Sequence, residues 1–122
     1  MRRFTKTHEW IELDGAIATV GITPHAVEQL GDLVFFEATA SGKAVSAGDP
    51  AATVESVKAA SEVYAPVAGT VTDGNQAVVD DPSLANSDPT GAGWLFRMSG
   101  VSEAEVAELM DEDGYNAMLL AA

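Results

Sequence analysis

The sequence has no cysteine in 122 residues. Disulfides, thiolate metal sites and thiol nucleophiles are therefore excluded. Bases are scarce: six Lys and Arg stand against nineteen Asp and Glu, a net charge of −13. So anionic a surface repels phosphate backbones, which excludes nucleic acid as a partner, and it disfavours anionic membranes. No apolar run approaches the roughly 18 residues of a membrane span. The basic start, Met1 to Lys6, leads into Thr7, His8 and Glu9 rather than an apolar stretch, so no export signal is read and a soluble intracellular protein is expected. There is no phosphate-binding P-loop and no Gly-x-Ser-x-Gly nucleophile elbow. Gly91-Ala92-Gly93 has no following helix, so it is no dinucleotide fingerprint. His8 and His25 lie far apart in sequence without cysteine partners, which argues against zinc.

What is present suits one globular domain spanning residues 1–122. Hydrophobic residues make up 47% and charged ones 20%, the balance of a folded chain rather than an acidic tail. Asp14-Gly15 between two apolar runs predicts a hairpin over residues 8–22. Thr23-Pro24 starts a helix of about two turns, and Gly31 ends it. Short strands are then predicted at Leu33–Phe36, around Val45, at Ala52–Val57, Glu62–Tyr64, Thr70–Thr72, Ala77–Val79 and Trp94–Met98. Residues 80–93 read as a long polar loop of functional length. Ser102 and Glu105 form a capping-box pattern, with Val101 placed to staple against Val106. Val106, Leu109 and Met110, then Tyr115, Met118 and Leu119, predict two short C-terminal helices packed on a β core. Strands punctuated at such intervals suggest a sandwich or small barrel. Gly42 to Val45 and Gly69 to Val71 faintly echo one another across the segment centred on Lys58.

Beyond Thr7 the only bases are Lys43, Lys58 and Arg97. Lys58 sits in Val54-Glu55-Ser56-Val57-Lys58-Ala59-Ala60, where a charge inside a Val/Ala strand pair belongs at an exposed bend. A lysine there is either a solubilising residue or a site of acylation, which removes its charge. Trp10, Trp94 and Tyr64 read as packing residues, and His25 as a surface residue of the short helix.

Glu55-Ser56-Val57-Lys58-Ala59 resembles the lipoyl-lysine motif of the glycine cleavage system H protein family. Four further blocks, in the family's order, carry the same resemblance: Thr7-His8-Glu9-Trp10; Gly21 to Ala26 with Leu30-Gly31-Asp32; Tyr64 to Gly69; and Asn86 to Pro89 with Gly93-Trp94-Leu95. Biotin carriers usually flank their lysine with methionines, whereas Val57 and Ala59 stand here. Lipoyl domains of 2-oxoacid dehydrogenases lack the Thr-His-Glu-Trp block.

The resemblance implies a mainly β barrel-sandwich hybrid of the lipoyl/biotinyl-carrier type. Residues 16–98 would be the lipoyl-binding core and 101–120 the C-terminal helices. It implies a carrier rather than an enzyme, with lipoic acid amide-linked to Lys58. The carrier would take an aminomethyl group from glycine decarboxylase to the aminomethyltransferase and pass electrons to dihydrolipoamide dehydrogenase. Thr7, Glu9 and Glu62 would line the cleft that shelters the loaded arm, though the family often has Asp where Glu62 stands. Glu55 would help lipoylating enzymes recognise the lysine. Ala38-Thr39 replace a common Leu-Pro. A monomer is expected, in a bacterial cytoplasm or, in a eukaryote, the mitochondrial matrix. Two other readings use the same features: a lipoyl or octanoyl relay protein serving other acceptors, and a plain binding module without cofactor. Six acids and no base lie between Val101 and Asp113, and such a surface suits electrostatically steered encounters.

Overall fold

Strand β1 (Arg2–Phe4) opens a six-stranded antiparallel sheet in the computed structural model, which describes residues 1–121. It pairs with β2 (Glu9–Asp14), which turns through Gly15-Ala16, directly after the paired Asp14, into β3 (Ile17–Ile22). Gly15 takes the positive φ of 62° that this turn demands. Helix α1 (Pro24–Leu30) follows as its sequence signals predict: the Thr23 side chain caps Ala26 N–H, Pro24 opens the helix and Gly31 closes it. Strands β4 (Leu33–Glu37), β6 (Pro50–Ser56) and β7 (Ala60–Tyr64) form a second, three-stranded sheet in the order β4-β6-β7. Between β4 and β6, the short β5 (Ala44–Val45) leaves to pair with β8 (Gly69–Gly74) in the first sheet. The two glycine-valine echoes are thus direct neighbours, with Val45 opposite Gly69.

The stretch after β8 departs from the sequence reading. Ala77 to Val79 is no strand but part of α2 (Gln76–Asp80). Asn75 makes the difference by accepting the Ala77 N–H as an N-cap, so the short apolar run winds up and buries Val78 in the core. The polar stretch 80–93 is also not all loop. It holds α3 (Ser83–Ser87), whose Ala85 is buried, and Gly93 packs where an added Cβ would lie 2.6 Å from Leu84 O.

Strand β9 (Phe96–Ser99) then joins β3 to β8, giving the order β1-β2-β3-β9-β8-β5. Val57, expected to be the end of a strand, lies beyond β6 and is exposed. Helices α4 (Glu103–Ala107) and α5 (Glu112–Ala121) close the chain. Ser102 caps α4 by accepting Glu105 N–H, but the Glu105 carboxylate does not complete the capping box. It accepts Ala68 N–H at 2.7 Å instead and ties α4 to the turn before β8. Leu109 and Met110 fall after α4, where Met110 bridges back to Phe4.

The mainly β, sandwich-like architecture is therefore built from two open antiparallel sheets. Ile11, Val20, Phe36, Val54, Val71, Phe96 and Met98 fill the space between them. Phe4, Trp10 and Tyr115 form a smaller cluster under α5. No helix among the described residues is long and apolar enough to cross a membrane.

Candidate functional site

The β6–β7 hairpin pairs Val54 with Ser61 and Glu55 with Ala60, leaving Ser56 to Ala59 as its tip. Ser56 builds that tip. Its hydroxyl accepts the N–H groups of Lys58 and Ala59, each at 3.1 Å, and donates to Ala59 O at 3.2 Å. A short hydroxyl side chain can do this because it closes a local turn within three residues. Val57 N–H donates to Asp32 O at 3.0 Å, fixing the tip to the turn between α1 and β4. Lys58 thus stands exposed on a braced bend. Its stem lies against Gly31, where an added Cβ would meet Lys58 Cε at 3.4 Å. Asn86 of α3 braces the same turn, donating to Gly31 O and accepting Leu33 N–H, both at 2.9 Å.

Beside this tip a groove of about 180 Å³ brings Thr7, Glu9 and Glu62 together with Gln29, Leu30 and Val54. Glu55 is exposed, pairs across the sheet with Phe35, and is not among the residues lining the groove. A larger cavity of about 660 Å³ shares Thr7 and Glu9 and adds Phe4, Thr5, Tyr64 and Met110. Glu62 is exposed at the groove, whereas Glu9 in the wall between the two spaces is only 2% exposed. Thr5 and Thr7 hydroxyls both donate to its Oε1 at 2.5 Å, and Tyr64 N–H donates to Oε2 at a longer 3.4 Å. Burial pushes the Glu9 carboxyl above its ordinary range, and those hydrogen bonds partly oppose the rise.

The two histidines, distant in sequence, pack with ring centroids 4.6 Å apart and ring planes tilted by 41°. Tyr115 OH lies 2.7 Å from both His8 Nδ1 and Thr23 Oγ1. Burial first, and His25 second, lower the pKa of His8. Among the described residues no group of three or more His, Asp or Glu side chains could hold a metal ion. Trp10 is buried and donates through Nε1 to Pro89 O, while Trp94 lies under the Arg97 guanidinium at 4.1 Å. Neither indole lines the groove. Tyr64 does more than pack, since its backbone reaches Glu9 and its side chain helps line the larger cavity.

Sequence reasoning passed over Ser56, Thr5 and Asn86 as individual actors. Ser56 had a readable signal, a hydroxyl two residues before the lysine in a tight turn. Thr5 and Asn86 act through contacts that only the tertiary fold creates.

A lysine raised on a hairpin of a two-sheet β domain, beside a groove with a buried carboxylate, defines a small carrier-type domain. The sequence model described as glycine cleavage H-protein matches residues 2–121. A glycine cleavage system H protein of Paramagnetospirillum magneticum is 56% identical over 118 residues, covering 97% of this chain and 94% of that protein. The crystal structure of a glycine cleavage system H protein from Mycobacterium marinum superposes with a TM-score of 0.84 at 41% identity, covering 97% of this chain and 95% of that one. The chain belongs to the glycine cleavage H-protein family.

Proposed function

We propose that the chain is the lipoyl-bearing shuttle of glycine cleavage, with lipoate amide-linked to Lys58. It would take an aminomethyl group from glycine decarboxylase to the aminomethyltransferase and pass electrons to dihydrolipoamide dehydrogenase. One observation carries the reading: the exposed Lys58 rests against Gly31, beside a groove whose wall holds the buried Glu9 carboxylate. The residues fit the group, because Lys58 presents a primary amine for the amide and Leu30 and Val54 give the groove an apolar lining. Lipoate supplies a disulfide that accepts the one-carbon unit and two electrons together.

The chain's own residues bind, orient and shelter. Glu9 and Glu62 supply carboxylates for a cationic amine, and the Thr7 hydroxyl supplies a further polar contact. The groove walls hold water away from that amine. Glu55, outside the groove lining, is free to be read by lipoylating enzymes. No step here needs a catalytic side chain, so the protein is a carrier. Its charge of −13 falls to −13 − 1 = −14 once Lys58 is acylated, and encounters with partner enzymes become faster at low salt.

The test is intact-mass analysis of protein from its native cells, with Lys58→Arg as control, followed by glycine-dependent bicarbonate exchange with purified glycine decarboxylase. A lipoyl mass lost in the control, together with stimulated exchange, supports the shuttle. A lipoyl mass without stimulation refutes it in favour of a relay protein, and no lipoyl mass refutes both.

A further inference from the structure

The Glu9 carboxylate is held unevenly. Oε1 receives two short hydrogen bonds, from Thr5 and Thr7, while Oε2 has only the long one from Tyr64 N–H. Thr5 is the more committed of the two threonines. Its hydroxyl also accepts Glu9 N–H at 3.1 Å, so one side chain clamps both the backbone and the carboxylate of the same residue. Its backbone N–H donates to Glu9 O at 2.9 Å and closes the turn from the other side. Thr5 lines the larger cavity but not the groove that holds Glu62, so it grips Glu9 from behind. The other ionisable side chains lining these spaces are Lys6, Tyr64 and Glu108 in the cavity and His8 and Glu62 in the groove, with Tyr115 beyond His8.

We propose that Thr5 is a positioning residue that ties down Glu9 Oε1 so that Oε2 is presented to the cationic amine of the cargo. This rests on the shuttle reading. A hydroxyl that donates to the carboxylate while accepting the backbone N–H of the same residue removes the freedom of Glu9 to rotate, and saturating one oxygen leaves the other as the acceptor. The same donor stabilises the ionised form, which burial alone opposes.

The experiment follows the Glu9 side-chain carboxyl by carbon-13 NMR through a pH titration of the unlipoylated full chain. Wild type, Thr5→Val, Thr5→Ala and Thr5→Ser are compared, and amide spectra confirm that each variant is folded. The Glu9 midpoint should rise in the valine and alanine variants and return in the serine variant. An unchanged midpoint in whichever of the two folds overturns the proposal. The second readout is the lifetime of cargo-loaded protein, made with glycine and its decarboxylase. It should shorten by about threefold or more in Thr5→Val, the size of one weakened charge-assisted contact, and recover in Thr5→Ser. A shifted midpoint with an unshortened lifetime overturns the presentation of Oε2 to the amine. If the wild type is never loaded, the shuttle reading fails and the amine role of Thr5 falls with it, while the titration still decides whether Thr5 holds Glu9.

Discussion

Replacing Gly31 by alanine should destabilise the protein through the backbone rather than through a clash. Gly31 has φ 80° and ψ −159°, a region open essentially to glycine alone. Forcing a side chain into it costs about 1–3 kcal/mol. The added Cβ would meet Lys58 Cε at 3.4 Å and Lys58 Nζ at 3.8 Å, ordinary contacts with a flexible stem, so packing adds little. A loss of about 2 kcal/mol corresponds to a fall in melting temperature on the order of 10 °C for a domain of this size. Urea unfolding followed by tryptophan fluorescence measures the loss, with Gly15→Ala alongside. Gly15 sits at φ 62° with nothing within 4 Å of an added Cβ, so it tests positive φ without a neighbour. Gly31→Ala should lose at least as much as Gly15→Ala, and its folded fraction should still be lipoylated because Lys58 stays exposed. If Gly31→Ala unfolds at the same urea concentration as wild type, the reasoning about this turn is refuted.

Two more predictions concern the groove and its brace. Asn86→Ala removes the acceptor of Leu33 N–H and the donor to Gly31 O, and should cost about 2–4 kcal/mol in urea unfolding; a loss below that of an ordinary exposed side chain would show that the bridge carries no energy. Glu9→Gln should raise stability at pH 7. Burial raises the folded-state pKa of Glu9 above 4.5, so the native protein binds this proton more tightly than the unfolded chain. Its ionised form therefore costs stability in full above the folded pKa; the cost shrinks as pH falls from that value and is gone below the unfolded value of 4.5. The gain of the glutamine variant should vanish in acid, and a variant that melts below wild type at pH 7 would contradict this linkage.

The parts of the fold legible in the sequence are those where a local signal and its consequence lie within a few residues. Asp14-Gly15, Thr23-Pro24 and Gly31 each determine their own turn or cap, and the structure follows them. The Val54–Tyr64 hairpin is readable because a charged residue in an apolar run has one comfortable place, its bend. Ala77 to Val79 is not, because three apolar residues suit a strand or a helix equally and the decision belongs to Asn75. Glu105 shows the same limit. Its capping-box spacing is right, but Ala68 N–H, far away in sequence, offers the better partner. The proposed cleft residues divide similarly. Thr7 and Glu9 are neighbours in one short block, whereas the proximity of Glu62, the clamp by Thr5 and the brace by Asn86 exist only once the two sheets and α3 have come together.

The C-terminal helices bear on the groove through a residue that its own backbone should reject. His8 has φ 72°, the left-handed region, in the turn that joins β1 to β2. That conformation costs an ordinary side chain about 1–2 kcal/mol, and glycine would adopt it freely. The turn keeps histidine because the ring is held from two sides, by Tyr115 OH at 2.7 Å and by the His25 ring at 4.6 Å. Tyr115 is in turn fixed by Thr23 Oγ1 and by stacking on Phe4 at 4.9 Å. Phe4 also exchanges backbone hydrogen bonds with Met110, at 2.8 and 3.2 Å. α5 therefore grips the residue between Thr7 and Glu9 through a chain of contacts that reaches α1 and β1. The strain at His8 persists because these partners over-determine it. The acidic C-terminal segment is then more than a source of charge: its helix sets the turn from which the buried carboxylate faces the groove.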